Sequence, residues 1–198
     1  MMRLILASTS AVRAALLASA GVAFDAVPAH IDEDAAKESL LAEGVRPRGI
    51  ADALAELKAL RVSSTCPAAL VLGADQVLDF GGELLSKAAT MDAARAQLAR
   101  LRGNSHKLMS AAVLVRDGSV VWRHVEESEL RMRHFSEEFL DSYLLQEGEA
   151  VLGSVGCYRL ESYGAQLFER IEGDYFSVLG LPLIPLLAAL RNHGVLEK

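Results

Sequence analysis

Two long runs, His106 to Arg116 and Ser119 to Met132, are separated by Asp117-Gly118 alone. A two-residue Asp-Gly connection favours positive φ at both positions, which joins antiparallel strands and little else. The spacing therefore predicts a hairpin of two long strands, and the rest of the fold must be built onto that sheet. Leu70 to Leu78 reads as another strand, turned back at Gly81-Gly82 through Glu83 to Leu85. Arg3 to Ala7 and Ala23 to Pro28 read as shorter strands.

Between these lie helical patterns. Ser10 is placed to cap a helix with Val12, Leu16, Leu17 and Ala20 on one side, ending at Gly21. Ala35 to Glu43 and Arg48 to Arg61 follow, the latter with Ile50, Leu54, Leu57 and Leu60 spaced for one face. Thr90 caps a helix that ends at Leu101, and Ser136 begins one that ends at Glu147. Gly153 to Gly180, rich in glycine and aromatics, gives no clear assignment. Val178 to Leu190, with two prolines, reads as a buried terminal helix. Strands interleaved with helices make an α/β protein. Nothing in the composition marks a linker, so the chain is expected to be a single domain over 1–198.

Hydrophobic residues make up 52% of the 198, enough for a substantial core. Lysine plus arginine number 20 against 26 acids, a net charge of −6. That balance argues against a polymeric nucleic acid partner, whose binders present a basic face, but not against a small phosphate ligand. Neither the N-terminus nor Val178–Leu190 offers the roughly 18–20 uncharged apolar residues of a membrane span, so no membrane partner and a cytoplasmic location are expected. Cys66 and Cys157 have neither metal-site nor disulfide-framework spacing and read as buried thiols of a reducing compartment.

Three places could carry chemistry. In Ala7-Ser8-Thr9-Ser10-Ala11-Val12-Arg13, hydroxyls, an arginine and helix N–H groups could hold a phosphate, or Ser10 could simply cap the helix. In Asp32-Glu33-Asp34, carboxylates could hold a hard cation such as Mg²⁺, or merely complement a helix dipole. In Leu72-Gly73-Ala74-Asp75-Gln76, an acid lies inside an apolar strand, which is costly unless it is paired or bound to metal. Gly73 would let a ligand approach the backbone there. Lys87, twelve residues after Asp75 and past a turn, could return to the same end of the sheet, or lie in solvent. The five histidines lack zinc spacing, and no Walker or dinucleotide-binding glycine loop occurs. Trp122 reads as sheet packing.

Taken in order, these pieces resemble the Maf family of nucleotide pyrophosphatases. The resemblance runs through Leu4–Ser10 with Arg13, Asp32-Glu33, Ala55–Ala59, Leu72–Gln76, Lys87 and Leu101–Gly103 with His106. It continues through Leu167–Asp174 and Gly180–Ile184, so it covers nearly the whole chain. The resemblance implies a mixed, strongly bent sheet flanked by helices, with two lobes around a central cleft, in a cytoplasmic protein that forms a homodimer. The implied activity is hydrolysis of a nucleoside triphosphate to monophosphate and pyrophosphate with a divalent metal, Mg or Mn.

Within that scheme Asp75, Glu33 and Lys87 are catalytic, and Glu33 and Asp75 share the metal. Ser8, Ser10, Arg13 and Lys58 hold phosphates, while Val12, Gln76 and Glu161 set base specificity. Gln76, Glu161 and Leu167–Arg170 are similar to the branch that prefers 7-methyl-GTP. Departures include Ala11 and Val12 in place of proline and then an aromatic or arginine, Ser86 and Ala88 around Lys87, and Ser162 after Glu161. An alternative within the same family is a nucleotide-binding regulator of cell division or septum formation.

Overall fold

The computed structural model describes residues 2–197. In chain order the elements are β1 (Leu4–Leu6), α1 (Ala11–Ser19), β2 (Asp25–Ala26), α2 (Glu33–Ala42), α3 (Pro47–Ser63), β3 (Leu70–Phe80) and β4 (Glu83–Leu85). Then follow α4 (Met91–Leu101), β5 (Ser105–Arg116), β6 (Ser119–Met132), α5 (Glu137–Glu147), β7 (Phe168–Glu172), α6 (Tyr175–Val178) and α7 (Leu183–Asn192). Short 3-10 turns cover Gly148–Gly153 and Tyr163–Leu167. The strands form one seven-stranded mixed sheet in the order β2-β1-β3-β5-β6-β7, with β4 paired to β3. β1 lies parallel to both β2 and β3, whereas β4 and β7 pair antiparallel with β3 and β6.

The hairpin that the sequence demands is present. Asp117 and Gly118 have φ of +49° and +75°, the two positive values that a tight primed turn needs. Helix caps also fall where expected: Ser10, Thr90 and Ser136 accept from the N–H groups of Arg13, Ala93 and Phe139. Asp32 is the cap of α2, so that helix begins at Glu33, two residues before the expected Ala35.

Other expectations need correction. The strand expected over Ala23–Pro28 shrinks to Asp25–Ala26, an outer strand of the sheet held by an Arg3–Asp25 ion pair of 2.8 Å. The terminal helix starts at Leu183 rather than Val178. Pro182 stands at its N-cap, and Tyr175–Val178 forms a separate four-residue helix. Cys157 is buried as expected, but Cys66 is only half-buried at the end of the turn that follows α3.

Contacts divide the chain into two units, the first formed by the chain through Gln76, Ser110–Glu126 and the chain from Asp174 onward. Its core packs Leu4, Leu6, Leu17, Leu70, Leu72, Leu114, Leu181, Leu186 and Leu190 together, with Trp122 partly buried against them, consistent with its expected packing role. Each such leucine contributes about 1.5–3 kcal/mol by leaving water.

The second unit comprises Val77–Met109 and Glu127–Gly173. Here β6 alternates, burying Ser128, Leu130 and Met132, and Tyr143 of α5 is fully buried with its hydroxyl donating to the Cys157 carbonyl at 3.2 Å. His106 is also buried, and its Nε2 lies 2.8 Å from the Tyr158 hydroxyl. No helix among the described residues is long and apolar enough to cross a membrane.

Candidate active site

The site is built where β1 ends beside β3. Leu4, Ile5 and Leu6 pair with Leu70, Val71 and Leu72, and the Ala7 N–H still donates to the Leu72 carbonyl at 2.8 Å. The chain then turns at Ser8 into α1, while β3 runs on to Asp75 and Gln76. Ligands of open sheets with parallel strands collect at such carboxyl ends.

Ser8 and Ser10 first hold the loop itself. Ser8 Oγ accepts from the Ser10 N–H at 3.2 Å, and Ser10 Oγ accepts from the Arg13 N–H at 3.4 Å. Arg13 is tied down more firmly. Its Nε donates to the Gly180 carbonyl at 2.9 Å, and its Nη1 to the Ala74 carbonyl at 3.0 Å and to Ser8 Oγ at 3.3 Å. Those bonds use three of the five guanidinium N–H groups, leaving both hydrogens of Nη2 without a protein acceptor among the described residues. Burial lowers the Arg13 pKa, and the nearby charges of Asp75 and Glu33 act in the opposite direction. The group remains a cation throughout the physiological range.

Asp75 is buried, as the sequence leads one to expect, and its cost is met by a partner. Lys58 Nζ lies 2.7 Å from Asp75 Oδ1 and 2.8 Å from Glu33 Oε2. Lys58 and Asp75 are both buried, at 6% and 5% exposure, while the Glu33 carboxylate is half open to solvent. A buried charge pair of this kind balances desolvation against attraction and is retained for placement rather than stability. Lys58 reaches the strand because α3 packs directly onto it. A Cβ at Gly73 would lie 2.0 Å from the Ala55 carbonyl oxygen and 2.8 Å from the Ala59 nitrogen. Gly73 therefore serves helix-on-strand contact, not the ligand approach expected of it.

Glu33 and Asp75 offer carboxylate oxygens of the kind a hard divalent ion takes, with Lys58 Nζ bridging them. Among the described residues no group of three or more His, Cys, Asp or Glu side chains could hold a metal. A cation here would thus have Glu33 and Asp75 as its protein ligands and take its other oxygens from water and phosphate, the pattern of Mg²⁺ with nucleotides.

Gln76 is fixed by residues that sequence reasoning missed. Its Nε2 lies 2.9 Å from Ser110 Oγ, 3.0 Å from the Val178 carbonyl and 3.1 Å from the Ser177 carbonyl. Ser110 is a lone hydroxyl within the apolar run Leu108–Val115, and that break was the available signal. Lys58 had one too: it continues the i, i+4 series Ile50, Leu54, Val62 on the buried face of α3. The carbonyls of residues 177, 178 and 180 left no trace in side-chain pattern.

Val12 is half-buried in the first turn of α1. The remaining expected residues belong to the second unit. Lys87 is exposed in the coil after β4, two residues past Leu85, which pairs with Leu78. Glu161 accepts from Arg159 Nε at 3.2 Å, and Arg159 Nη1 donates at 3.0 Å to the buried Glu147.

Comparison with known proteins identifies the family. The family model described as "Maf-like protein" matches residues 3–193. The chain is 59% identical over 191 residues to a "Nucleoside triphosphate pyrophosphatase" of Caulobacter vibrioides, covering 96% of each protein. It is 52% identical over 195 residues to the protein of the same name from Granulibacter bethesdensis, covering 98% of this chain and 99% of that one. A "7-methyl-GTP pyrophosphatase" of Mesorhizobium japonicum is 50% identical over 195 residues and 98% of each chain. By its sequence, the chain belongs to the Maf family.

Proposed function

We propose that this protein hydrolyses a nucleoside triphosphate between its α and β phosphates, releasing the monophosphate and pyrophosphate. One observation carries the reading: Lys58 stands 2.7–2.8 Å from both Asp75 and Glu33, beside the clamped guanidinium of Arg13, where β1 ends alongside the middle of β3. The names of the relatives support it. A regulator that only bound the nucleotide would have no need of the buried carboxylate.

In this mechanism Asp75 accepts the proton of the attacking water as its oxygen bonds to the α phosphorus. The bond from that phosphorus to the α–β bridging oxygen breaks, and pyrophosphate leaves with the electron pair. Glu33 and Asp75 would hold Mg²⁺ or Mn²⁺, which supplies charge neutralisation and a more acidic bound water. The two Nη2 hydrogens of Arg13 are directed to phosphate oxygens, and Lys58 adds a second positive group where charge accumulates. Ser8 and Ser10 accept through their oxygens within the loop, so each keeps its hydroxyl proton for phosphate.

Lys87 and Glu161 enter on the family resemblance, Lys87 to neutralise phosphate and Glu161 to receive the exocyclic amine of a guanine. The leading substrates are guanine nucleotides, 7-methyl-GTP among them, and the role is removal of modified or non-standard nucleotides. The same reading takes the protein as a cytoplasmic homodimer without nucleic acid or membrane partners. The test is chromatography of products from GTP, 7-methyl-GTP, UTP and CTP with Mg²⁺ or Mn²⁺. Pyrophosphate and the monophosphate are expected; single phosphates, or no product from any of them, would overturn the proposal.

A further inference from the structure

The bonds around Gln76 determine which end of its amide a ligand can meet. Ser177 and Val178 offer carbonyl oxygens, which cannot donate, so the side facing them is the amide nitrogen. Ser110 removes the remaining ambiguity. Its hydroxyl donates to the Ser177 carbonyl at 2.6 Å, so its one proton is committed and its oxygen can only accept from Gln76. The Ser177 carbonyl also receives the Gly180 N–H at 2.9 Å. With two donors already on that oxygen, Ser110 Oγ and the Val178 carbonyl are the principal acceptors for the two amide hydrogens of Gln76. Both hydrogens are committed, and Oε1 is the end left to act.

That oxygen stands near the phosphate-binding arginine. A Cβ built at Gly180 would lie 3.8 Å from Gln76 Oε1 and 3.6 Å from Arg13 Nη2, so the two groups flank one bare patch of backbone. The segment beneath is held by Asp174, whose carboxylate accepts from both the N–H and the hydroxyl of Ser177 at 2.7 Å. Asp174 thereby sets the carbonyls of Ser177, Val178 and Gly180, and these orient Gln76 and Arg13 together.

Resting on the pyrophosphatase reading, we propose that Ser110 is a positioning residue that locks Gln76 with its carbonyl oxygen outward, making position 76 an acceptor-only reader of bases that present an N–H. Asp174 supports the same lock from beneath. The chemistry selected is a donor edge, as on guanine, and a base with a ring acceptor at that point is disfavoured.

The test compares GTP with the triphosphate of 2-aminopurine riboside, which keeps the 2-amino group but lacks N1–H. The native protein should favour GTP by about 10-fold or more in kcat/KM. Ser110→Ala should raise KM for GTP about 3- to 10-fold, the value of one hydrogen bond, with kcat within about twofold. It should also narrow the preference between the two substrates, and Ser110→Thr, which restores a hydroxyl, should recover it.

An unchanged preference in Ser110→Ala, or a fall in kcat with KM unaltered, would overturn the inference. Dissociation constants of the non-hydrolysable α,β-methylene analogues of both nucleotides provide the same ratio without turnover. A native protein that binds them with the expected preference yet releases no pyrophosphate would end the pyrophosphatase reading and keep this one. Equal binding of the two, or binding of neither, would end this one.

Discussion

In the first unit Lys58 stands between Glu33 and Asp75; in the second, Arg159 stands between Glu147 and Glu161. Both are one cation shared by two carboxylates, yet they are built for different ends. The Arg159 cluster draws its members from a short stretch, and its buried acid is fully engaged. Glu147 takes Arg159 on one oxygen at 3.0 Å and the Tyr163 N–H on the other at 2.9 Å. A planar guanidinium fork holds such partners in fixed directions.

The Lys58 cluster instead brings together α2, α3 and β3, and its cation is a compact ammonium on a flexible stem. Only Oδ1 of Asp75 meets that ammonium, and Glu33 is open to solvent at 52% side-chain exposure. The first arrangement leaves its contacts free to exchange, as the proposed metal and phosphates would require; the second ties the segment from Glu147 to Tyr163. On the proposed function the Lys58 cluster serves reaction, whereas Arg159 and Glu147 fix the segment that carries Glu161.

The largest expected effect separates the two. Asp75→Asn keeps size and shape but removes the proposed proton acceptor and metal ligand, so kcat should fall by about 10²- to 10⁴-fold. The fold should be retained with a lowered thermal midpoint, because buried Lys58 loses its buried partner and keeps the half-exposed Glu33. Near-normal turnover would place Asp75 with the structural cluster.

Next in size is a pH effect confined to the second unit. Burial lowers the His106 pKa from 6.5 to about 4, so the folded protein holds this ring neutral. Stability from this group is complete above pH 6.5 and is lost as pH falls toward 4, because the unfolded chain takes up the proton first. The loss is on the order of 3 kcal/mol at the acid end. Urea midpoints measured at pH 7.5, 5.5 and 4.5 should fall more steeply for the native protein than for His106→Gln. Parallel slopes would contradict the neutral, buried ring.

Smaller again is Glu147→Gln, which should cost about 1–3 kcal/mol of stability, since Arg159 remains partly solvated and keeps Glu161. Its kcat should be little changed. A large loss of kcat without a loss of stability would erase the contrast between the clusters.

The smallest effect concerns base stacking. Val12 presents no ring, so the native protein should discriminate weakly between GTP and 7-methyl-GTP. Val12→Trp should favour the cationic methylated base through cation–π attraction of about 0.5–2 kcal/mol, roughly 2- to 30-fold in kcat/KM. An unaltered ratio would remove position 12 from the base site.

These contrasts also explain what the sequence made legible. Asp75 was visible because an acid inside Leu70–Leu78 violates the cost of burial, and Ser10 because caps follow local chemistry. The hairpin was visible because Asp117-Gly118 permits few other turns. Lys58 lay on the buried stripe of α3, yet its joining of Glu33 to Asp75 depends on packing across three elements. The misreading of Gly73 has the same origin: a missing side chain shows that something comes close, but not whether it is a ligand or a helix. The carbonyls of Ser177, Val178 and Gly180 that hold Gln76 and Arg13 were invisible because backbone groups carry no residue identity.

Attack at the α phosphorus is the core of the proposed reaction, and hydrolysis of GTP in ¹⁸O-labelled water with mass spectrometry of both products tests it directly. One labelled oxygen in GMP and none in pyrophosphate is the predicted result. Label in pyrophosphate, or in single phosphate with GDP as the other product, would contradict it.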